Sequence, residues 1–132
     1  MSFSVSQKVL FKHCDPAGIV FYPRYFEMIN DCIEAFFDHI GHPFEDLHRQ
    51  AAVPTAQIET VFTAPSRHGD HLEIMLTVER LGGSSLDLAL HANCGDETRF
   101  TTKSTLVYIN SNGRPQKWSA PLRQALASHL SE

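Results

Sequence analysis

One long amphipathic helix, followed by four strand-like segments, most constrains what this chain can fold into. Between residues 23 and 40 apolar residues recur at spacings of three and four, as on the buried face of a helix: Phe26, Ile29, Ile33, Phe36, Phe37 and Ile40. Pro23 is typical of a first helical turn, and Gly41 of the residue that follows a helix. The segment carries four aromatic residues, more than a solvent-exposed helix needs, so we predict that a sheet covers it.

Segments with a period of two surround this helix. The first strand is predicted before it, with Phe3, Val5, Val9 and Phe11 on its buried face. Four more are predicted at about 58–62, 72–78, 86–92 and 98–109, and Ser119 is predicted to cap a last helix through Leu122, Leu126 and Leu130. Because tight turns make neighbouring strands antiparallel, the predicted class is α+β: a long five-stranded antiparallel sheet wrapped around a central helix.

Length and composition narrow the function classes. The 132 residues predict a single domain, 1–132, without room for a separate cofactor domain, and we expect no cofactor. A net charge of −4 argues against nucleic acid or an anionic membrane as a partner. Three widely spaced cysteines without a CxxC pair, and no apolar run near the roughly 20 residues that span a bilayer, predict a cytoplasmic protein.

The densest cluster of unusual residues lies at 13–18, just before the long helix. Asp15 offers a carboxylate in a loop, and Gly18 allows another group to approach the backbone closely. The first N–H groups of the helix, near Tyr22 and Tyr25, can polarise a carbonyl oxygen. This arrangement suits acyl transfer, although an Asp before a Pro is also a common turn former. The spacing alone leaves both interpretations open.

Three motifs resemble one known family. Residues 13–25, HCDPAGIVFYPRY, closely resemble the opening motif of the 4-hydroxybenzoyl-CoA thioesterase family. The members of that family are acyl-CoA hydrolases of the hot-dog fold. Residues 64–74, APSRHGDHLEI, are similar to that family's entry into a strand. Residues 81–86, LGGSSL, are similar to its hairpin. The resemblance covers nearly the whole chain and implies a hot-dog fold and thioester hydrolysis.

The resemblance also implies roles for individual residues. Asp15 matches the family's catalytic carboxylate, and Tyr22 matches the position whose backbone N–H polarises the thioester carbonyl. The expected substrate-binding residues are Gly18, Tyr25, Asn30 and Thr55. The expected CoA-binding residues are Arg80, Gly82, Gly83, Ser84, Ser85, Arg114 and Lys117. Two positions depart from the family: Asn30 stands where 4-hydroxybenzoyl hydrolases have a carboxylate, and the hairpin lacks their basic cluster.

The resulting expectation is an acyl-CoA thioesterase that acts on an aromatic or a short- to medium-chain acyl group, with Asp15 as nucleophile or general base. One alternative is a hot-dog protein that binds acyl groups without hydrolysing them. Another is a thioesterase for acyl-carrier-protein thioesters. The resemblance further implies a homodimer paired edge to edge, or a dimer of dimers, that is, a homotetramer with active sites at the dimer interface.

Other reactive residues receive simpler interpretations. Cys14 beside His13 suggests a nucleophile, but adjacent side chains usually point apart, so a small spacer is the preferred interpretation. Histidines at 39, 42, 68 and 71 suggest metal ligands, yet no third converging ligand is evident. We therefore expect no metal site.

Overall fold

The computed structural model describes residues 2–131, and seven strands and three helices lie within them. The strands are β1 (Ser2–Lys8), β2 (Ala51–Ala52), β3 (Thr55–Phe62), β4 (His71–Leu81), β5 (Ser85–Cys94), β6 (Glu97–Val107) and β7 (Ile109–Asn110). The helices are α1 (Pro23–His39), α2 (Phe44–Leu47) and α3 (Ala120–Ala127). The predicted long helix is confirmed to within one residue at its end.

The five long strands form one antiparallel sheet in the order β1-β4-β5-β6-β3. Alternate residues of β4 and β5 point to the same face and are buried there: Leu72, Ile74, Leu76, Val78, Leu86, Leu88, Leu90 and Ala92. The buried side of α1 packs into the same core with Met28, Ile29, Cys32, Ile33, Phe36 and Phe37. The α+β class and the hot-dog fold, a sheet around one helix, are confirmed.

Strand β3 lies at an edge of this sheet, and the edge position changes the burial of its apolar residues. Ile58, Val61 and Phe62 are 40%, 56% and 44% exposed, although the first and third lie on the inner face. On its other side β3 has no partner strand within residues 2–131. The unpaired backbone groups of an apolar edge strand of this length can form hydrogen bonds with a strand of another chain.

Four details of the structure differ from the expectations. Phe11 is 81% exposed, because β1 ends at Lys8 and Phe11 begins a 3-10 turn. Ser119 occupies the N-cap position of α3, but its side chain makes no capping hydrogen bond, and Leu130 lies beyond the helix and is exposed. The small second sheet of β2 and β7 was not predicted, because two-residue strands leave no periodic pattern.

No helix among the described residues is long and apolar enough to cross a membrane. Across residues 2–131, no three His, Cys, Asp or Glu side chains form a group that could hold a metal ion. All three cysteines are free thiols, and burial raises the pKa of Cys32 to about 12, so this core thiol stays protonated at neutral pH.

Candidate active site

Asp15 begins a tight hairpin that ends at Gly18, and the next residue, Ile19, lines an apolar groove. Its N–H donates to the Ile19 carbonyl at 2.9 Å, and its carbonyl accepts the Gly18 N–H at 2.9 Å. Gly18 has a φ of +83°, which completes a three-residue loop that a side chain would strain. The carboxylate oxygen Oδ1 of Asp15 accepts the Ala17 N–H at 2.9 Å. Asp15 is therefore a turn former, as the simpler interpretation held, and its half-buried carboxylate still has a second oxygen with no donor among residues 2–131.

The chain passes from this hairpin directly into α1. Phe21 N–H donates back to the His13 carbonyl, and the first helical N–H groups, of Arg24 and Tyr25, donate to the carbonyls of Phe21 and Tyr22. The N–H of Tyr22 has no acceptor in the part of the chain that the structure describes. A backbone donor left open at the positive end of a 17-residue helix can stabilise a negative oxygen.

An apolar groove of about 550 Å³ opens at this end of α1. The two tyrosines of the first turn, Tyr22 and Tyr25, lie on one side, and the end of β3 and the following loop form the other. The lining residues are Ile19, Val20, Tyr22, Tyr25, Phe62, Thr63, Ala64 and Pro65, none of them charged. Phe62 is at the centre of this surface, with its ring 5.9 Å from that of Tyr22 and 5.7 Å from that of Tyr25.

A buried polar network that the sequence did not predict lies directly behind the groove. Tyr25 is 4% exposed, and its hydroxyl donates to Ser66 Oγ at 2.8 Å. Arg99 donates from Nη1 to the same Ser66 Oγ at 3.1 Å and to Asp70 Oδ2 at 2.8 Å. Burial raises the pKa of Tyr25, so its hydroxyl stays neutral. The expected substrate contact of Tyr25 can thus come from its ring, because its hydroxyl is already engaged.

Asn30 and Thr55 meet at a second pocket, of about 410 Å³, beside the other end of β3. Its lining also contains His48, which the sequence analysis missed. The ring nitrogen Nδ1 of His48 lies 2.9 Å from the Phe44 carbonyl. When Nδ1 donates to that carbonyl, Nε2 is left as an acceptor. This pocket offers hydrogen-bonding groups, in contrast to the apolar groove.

The expected CoA-binding hairpin joins β4 to β5, and the chain after β7 packs against it. Trp118 donates from its N–H to the Gly83 carbonyl at 3.1 Å and from Nε1 to the Ser85 carbonyl at 3.2 Å. Lys117 precedes Trp118 and is therefore next to the hairpin along the chain. Arg123, which was not predicted, donates to the Gly82 carbonyl at 3.0 Å. A side chain at position 82 would require Ser85 Oγ to rotate away.

Within one protomer the groove and the hairpin lie at opposite ends of the sheet. Leu86, which follows the hairpin, is in register with Leu106 and through it with Thr55, whereas Phe62 in the groove is in register with Phe100. The seven residue-to-residue steps from Thr55 to Phe62 correspond to roughly 23 Å of strand. The structure thus brings Tyr22 and Tyr25 together in the groove, beside the hairpin of Asp15 and Gly18. It places Asn30, Thr55 and the expected CoA-binding residues elsewhere.

The residues beside Asp15 do not form a nucleophile and its base. His13 is buried, and its Nδ1 accepts the Leu10 N–H at 2.9 Å. Burial, followed by the nearby charge of Lys12, lowers the pKa of His13. Cys14 Sγ lies 3.7 Å from the Leu10 carbonyl, to which it donates a weak hydrogen bond. Cys14 is therefore tied to the local backbone, which supports its interpretation as a small spacer.

The lowered pKa values of His13 and His129 predict a loss of stability in mild acid. The pKa of His129 is lowered by burial and then by the nearby charge of His39. Because each folded-state pKa lies below the unfolded value near 6.5, the unfolded state binds more protons as the pH falls through 6.5, and the free energy of unfolding decreases. We expect the Tm to fall by a few degrees between pH 7.5 and 5.5, measured by calorimetry.

A matched pair of variants tests the contribution of His13. In His13→Asn the amide oxygen can still accept the Leu10 N–H but does not titrate, so the decrease in Tm becomes smaller. His91 lies exposed on the outer face of β5, and His91→Asn leaves the decrease unchanged. Equal pH dependence of wild type and His13→Asn would contradict this assignment.

Comparison with known proteins connects this architecture to a family. The model of the thioesterase-like superfamily matches residues 9–128. A 1,4-dihydroxy-2-naphthoyl-CoA thioesterase from Synechocystis is 17% identical, with a TM-score of 0.89 over 96% of each chain. A gentisyl-coenzyme A thioesterase is 24% identical, with a TM-score of 0.87 over 94% of this chain and 99% of that one. A hypothetical protein from Thermus thermophilus is 16% identical, with a TM-score of 0.92 over the whole of both chains. No curated protein matches the chain.

Proposed function

Because the chain belongs to the thioesterase-like superfamily and is a thioester hydrolase, we propose that it hydrolyses an acyl-CoA to the free acid and CoA, with Asp15 and the Tyr22 N–H at the reacting atoms. This membership favours hydrolysis over the alternative of a protein that binds acyl groups without turnover. It also agrees with the resemblance of residues 13–25 to the opening motif of the 4-hydroxybenzoyl-CoA thioesterase family.

The observation that carries the proposal is the open backbone donor at the groove. Tyr22 lines the groove, and its N–H has no acceptor within residues 2–131. In the transition state of thioester hydrolysis the carbonyl oxygen becomes negative, and a fixed donor in an apolar setting stabilises that charge without reorganising. A hydrogen bond from this N–H is strongest when the charge has developed, which lowers the barrier.

Asp15 supplies the nucleophile or its activator. In one route its carboxylate attacks the acyl carbon, the C–S bond breaks, the CoA thiolate leaves and takes a proton from water, and water then hydrolyses the mixed anhydride. In the other, Asp15 accepts a proton from the water that attacks. The low pKa of a thiol leaving group makes strong acid assistance unnecessary. The two routes share the same products and the same requirement for a charged Asp15.

The groove favours an apolar acyl group, either aromatic or a short to medium chain. Its walls are the rings of Tyr22, Tyr25 and Phe62 together with aliphatic side chains. Rings at these separations can stack with an aromatic acyl group or pack against an alkyl chain. The second pocket, with Asn30, Thr55 and His48, adds hydrogen-bonding groups for a polar substituent if a partner subunit brings it to the groove.

The distance between groove and hairpin supports a homodimer with shared active sites. If the exposed edges of two β3 strands pair antiparallel, the Phe62 end of each protomer faces the Thr55 end of its partner. Each groove then lies near the partner's second pocket and CoA-binding hairpin. The apolar exposure of Ile58, Val61 and Phe62 is also explained by such pairing. A further pairing of dimers into a homotetramer remains part of this proposal.

Phosphate groups of CoA would bind at the hairpin end through local rather than overall charge. Arg80, Arg114 and Lys117 supply cations there, and the N–H groups of Gly83 and Ser84 have no acceptor among the described residues. Backbone N–H groups in a turn form a concave site for anions. This arrangement compensates in part for the basic cluster that the hairpin lacks.

A hydrolysis screen tests the proposal. We expect thiol release from at least one member of a panel of aromatic and of short- to medium-chain acyl-CoAs, detected with a thiol reagent. The corresponding acyl-carrier-protein thioesters form the second arm, and faster turnover there would identify the carrier protein as the partner. No turnover in either arm would contradict the proposal and favour acyl binding without hydrolysis.

A further inference from the structure

Arg99 is a charged residue in the core of the protein, and nothing in the proposed chemistry uses it. It is 8% exposed, although arginine is almost never buried without partners. Its position on β6 is also irregular. Phe100 pairs with Ala92 and Thr98 pairs with Asn93, which leaves Arg99 as an extra residue on its strand. A β-bulge of this kind turns a side chain away from the regular alternation of the sheet.

The bulge aims Arg99 at the loop that forms one wall of the groove. Its Nη1 donates to the Pro65 carbonyl at 3.1 Å and to Ser66 Oγ at 3.1 Å, and it forms an ion pair with Asp70 at 2.8 Å. Its Nε lies 2.8 Å from Glu97 Oε1. The Arg99 guanidinium holds the pKa of the Asp70 carboxyl below its usual range, so the pair stays charged at neutral pH.

Ser66 connects Arg99 to both parts of the candidate active site. Its Oγ accepts the hydroxyl of Tyr25, in the first turn of α1, three residues after Tyr22. Its carbonyl accepts the Val20 N–H at 2.8 Å, next to the residue whose carbonyl holds the Asp15 N–H. The hairpin of Asp15 and the start of α1 are thus both bonded to one buried serine, whose hydroxyl Arg99 also holds.

We propose that Arg99 is a positioning residue: through Ser66 it sets the distance between the Asp15 carboxylate and the Tyr22 N–H. The inference rests on the proposed function, since it concerns the geometry of that site. The ion pair with Asp70 fixes the guanidinium, the guanidinium fixes Ser66, and Ser66 fixes the hairpin and the helix relative to each other. A displacement of about 1 Å at a reacting centre costs roughly a hundredfold in rate, so the kinetic effect is large although Arg99 touches no substrate.

Steady-state kinetics of three variants test this route. Arg99→Met is expected to lower kcat about thirtyfold while KM changes less than about threefold, and Ser66→Ala to lower kcat about tenfold. Because both substitutions break the same connection, the double variant is expected to have the kcat of Arg99→Met alone. Additive losses would overturn the route through Ser66, and an unchanged kcat in folded Arg99→Met would overturn the positioning role.

Arg49 provides a matched control, because its ion pair with Asp46 lies on the surface with the arginine side chain 77% exposed. Arg49→Met is expected to leave kcat unchanged. If Arg99→Met does not fold, Arg99→Lys and Ser66→Ala carry the test. Lysine keeps the charge opposite Asp70, but its shorter side chain does not place a nitrogen where Nη1 lies, so its kcat is expected to lie between wild type and Ser66→Ala.

Amide hydrogen exchange provides a readout that does not depend on activity. In Arg99→Met we expect faster exchange of the Val20 N–H, which is bonded to Ser66, and unchanged exchange of the Trp118 N–H at the other end of the sheet. A purely structural role would accelerate both, and either this result or unchanged exchange of Val20 would overturn the proposal. If the wild type hydrolysed no thioester, that result would contradict the proposed function. The exchange experiment would still decide whether Arg99 positions the hairpin and the helix.

Discussion

Asp15→Asn is expected to lower kcat/KM for the best acyl-CoA by about a thousandfold, within the range for loss of a general base or nucleophile. The substitution separates the two roles of this residue. Asn Oδ1 can accept the Ala17 N–H as Asp Oδ1 does, so the hairpin that ends at Gly18 is preserved. The amide has neither the charge nor the basicity of the carboxylate. Stopped-flow or steady-state thiol release measures the effect, and circular dichroism confirms the fold.

Asp96→Asn is the matched control. Asp96 is exposed in the tight turn between β5 and β6, is not among the residues that line the groove, and carries the same carboxylate. Its substitution is expected to leave kcat/KM unchanged. Retention of near-wild-type activity by Asp15→Asn would make the assigned mechanism wrong and leave Asp15 with its turn-forming role.

An isotope-labelling experiment distinguishes attack by Asp15 from activation of water by Asp15. In a single turnover in H₂¹⁸O, with enzyme in excess, the anhydride route transfers one ¹⁸O to either the released acid or Asp15, depending on which carbonyl the water attacks. Mass analysis of the peptide that contains residue 15 detects the label. Label in Asp15 establishes the anhydride route, because water activated by Asp15 adds its oxygen only to the released acid. Absence of the label from Asp15 counts against an anhydride that water opens at the Asp15 carbonyl.

Subunit complementation is the second experiment with a large expected effect. Asp15→Asn is expected to inactivate the groove, and the double substitution Arg80→Glu with Lys117→Glu is expected to disable the proposed CoA-binding end by reversing its charge. If each active site combines the groove of one protomer with the hairpin of its partner, a heterodimer of the two variants contains one intact site and one doubly damaged site. We therefore expect about half of the wild-type activity from heterodimers whose parent homodimers are nearly inactive.

Co-expression with two different affinity tags and sequential purification isolates these heterodimers. A heterodimer of Asp15→Asn with wild type is the control and is also expected to have about half of the wild-type activity, since one of its grooves is intact. Heterodimers no more active than the mean of their parents would exclude a shared site. If the charge-reversed homodimer keeps its KM for acyl-CoA, the assignment of Arg80 and Lys117 to CoA is wrong, whatever the result of mixing.

The position of Arg99 shows where sequence reasoning reached its limit. The alternation of apolar and polar residues predicted strand β6. One extra residue changes that alternation too little to be detected in a single sequence. Arg99 and Asp70 are 29 residues apart, and Tyr25 and Ser66 are 41 apart. Neither pair is predictable from local spacing, because contacts between distant segments depend on strand order, which a period of two does not specify.

His48 illustrates the same limit at the second pocket. It follows the short helix α2, and it is one of the eight histidines of the chain, in an amphipathic stretch. Its position next to Asn30 and Thr55 depends on how the segment between α1 and β3 folds back over the end of the sheet. Asn30 and Thr55 were named from the family resemblance, whereas their common pocket was visible only in the structure.

By itself the sequence determined the long helix, the five long strands, the α+β class and the turn-rich loop that contains Asp15, because each depends on local periodicity or on the preferences of Pro, Asp and Gly in a turn. The tertiary structure alone decided that β3 is an edge, that the groove and the β4–β5 hairpin lie at opposite ends of the sheet, and that Arg99 is buried behind the groove. The physical reason is that periodicity identifies which face of an element is buried. Which element covers that face, and in what register, is decided by packing and hydrogen bonds between residues far apart in the chain.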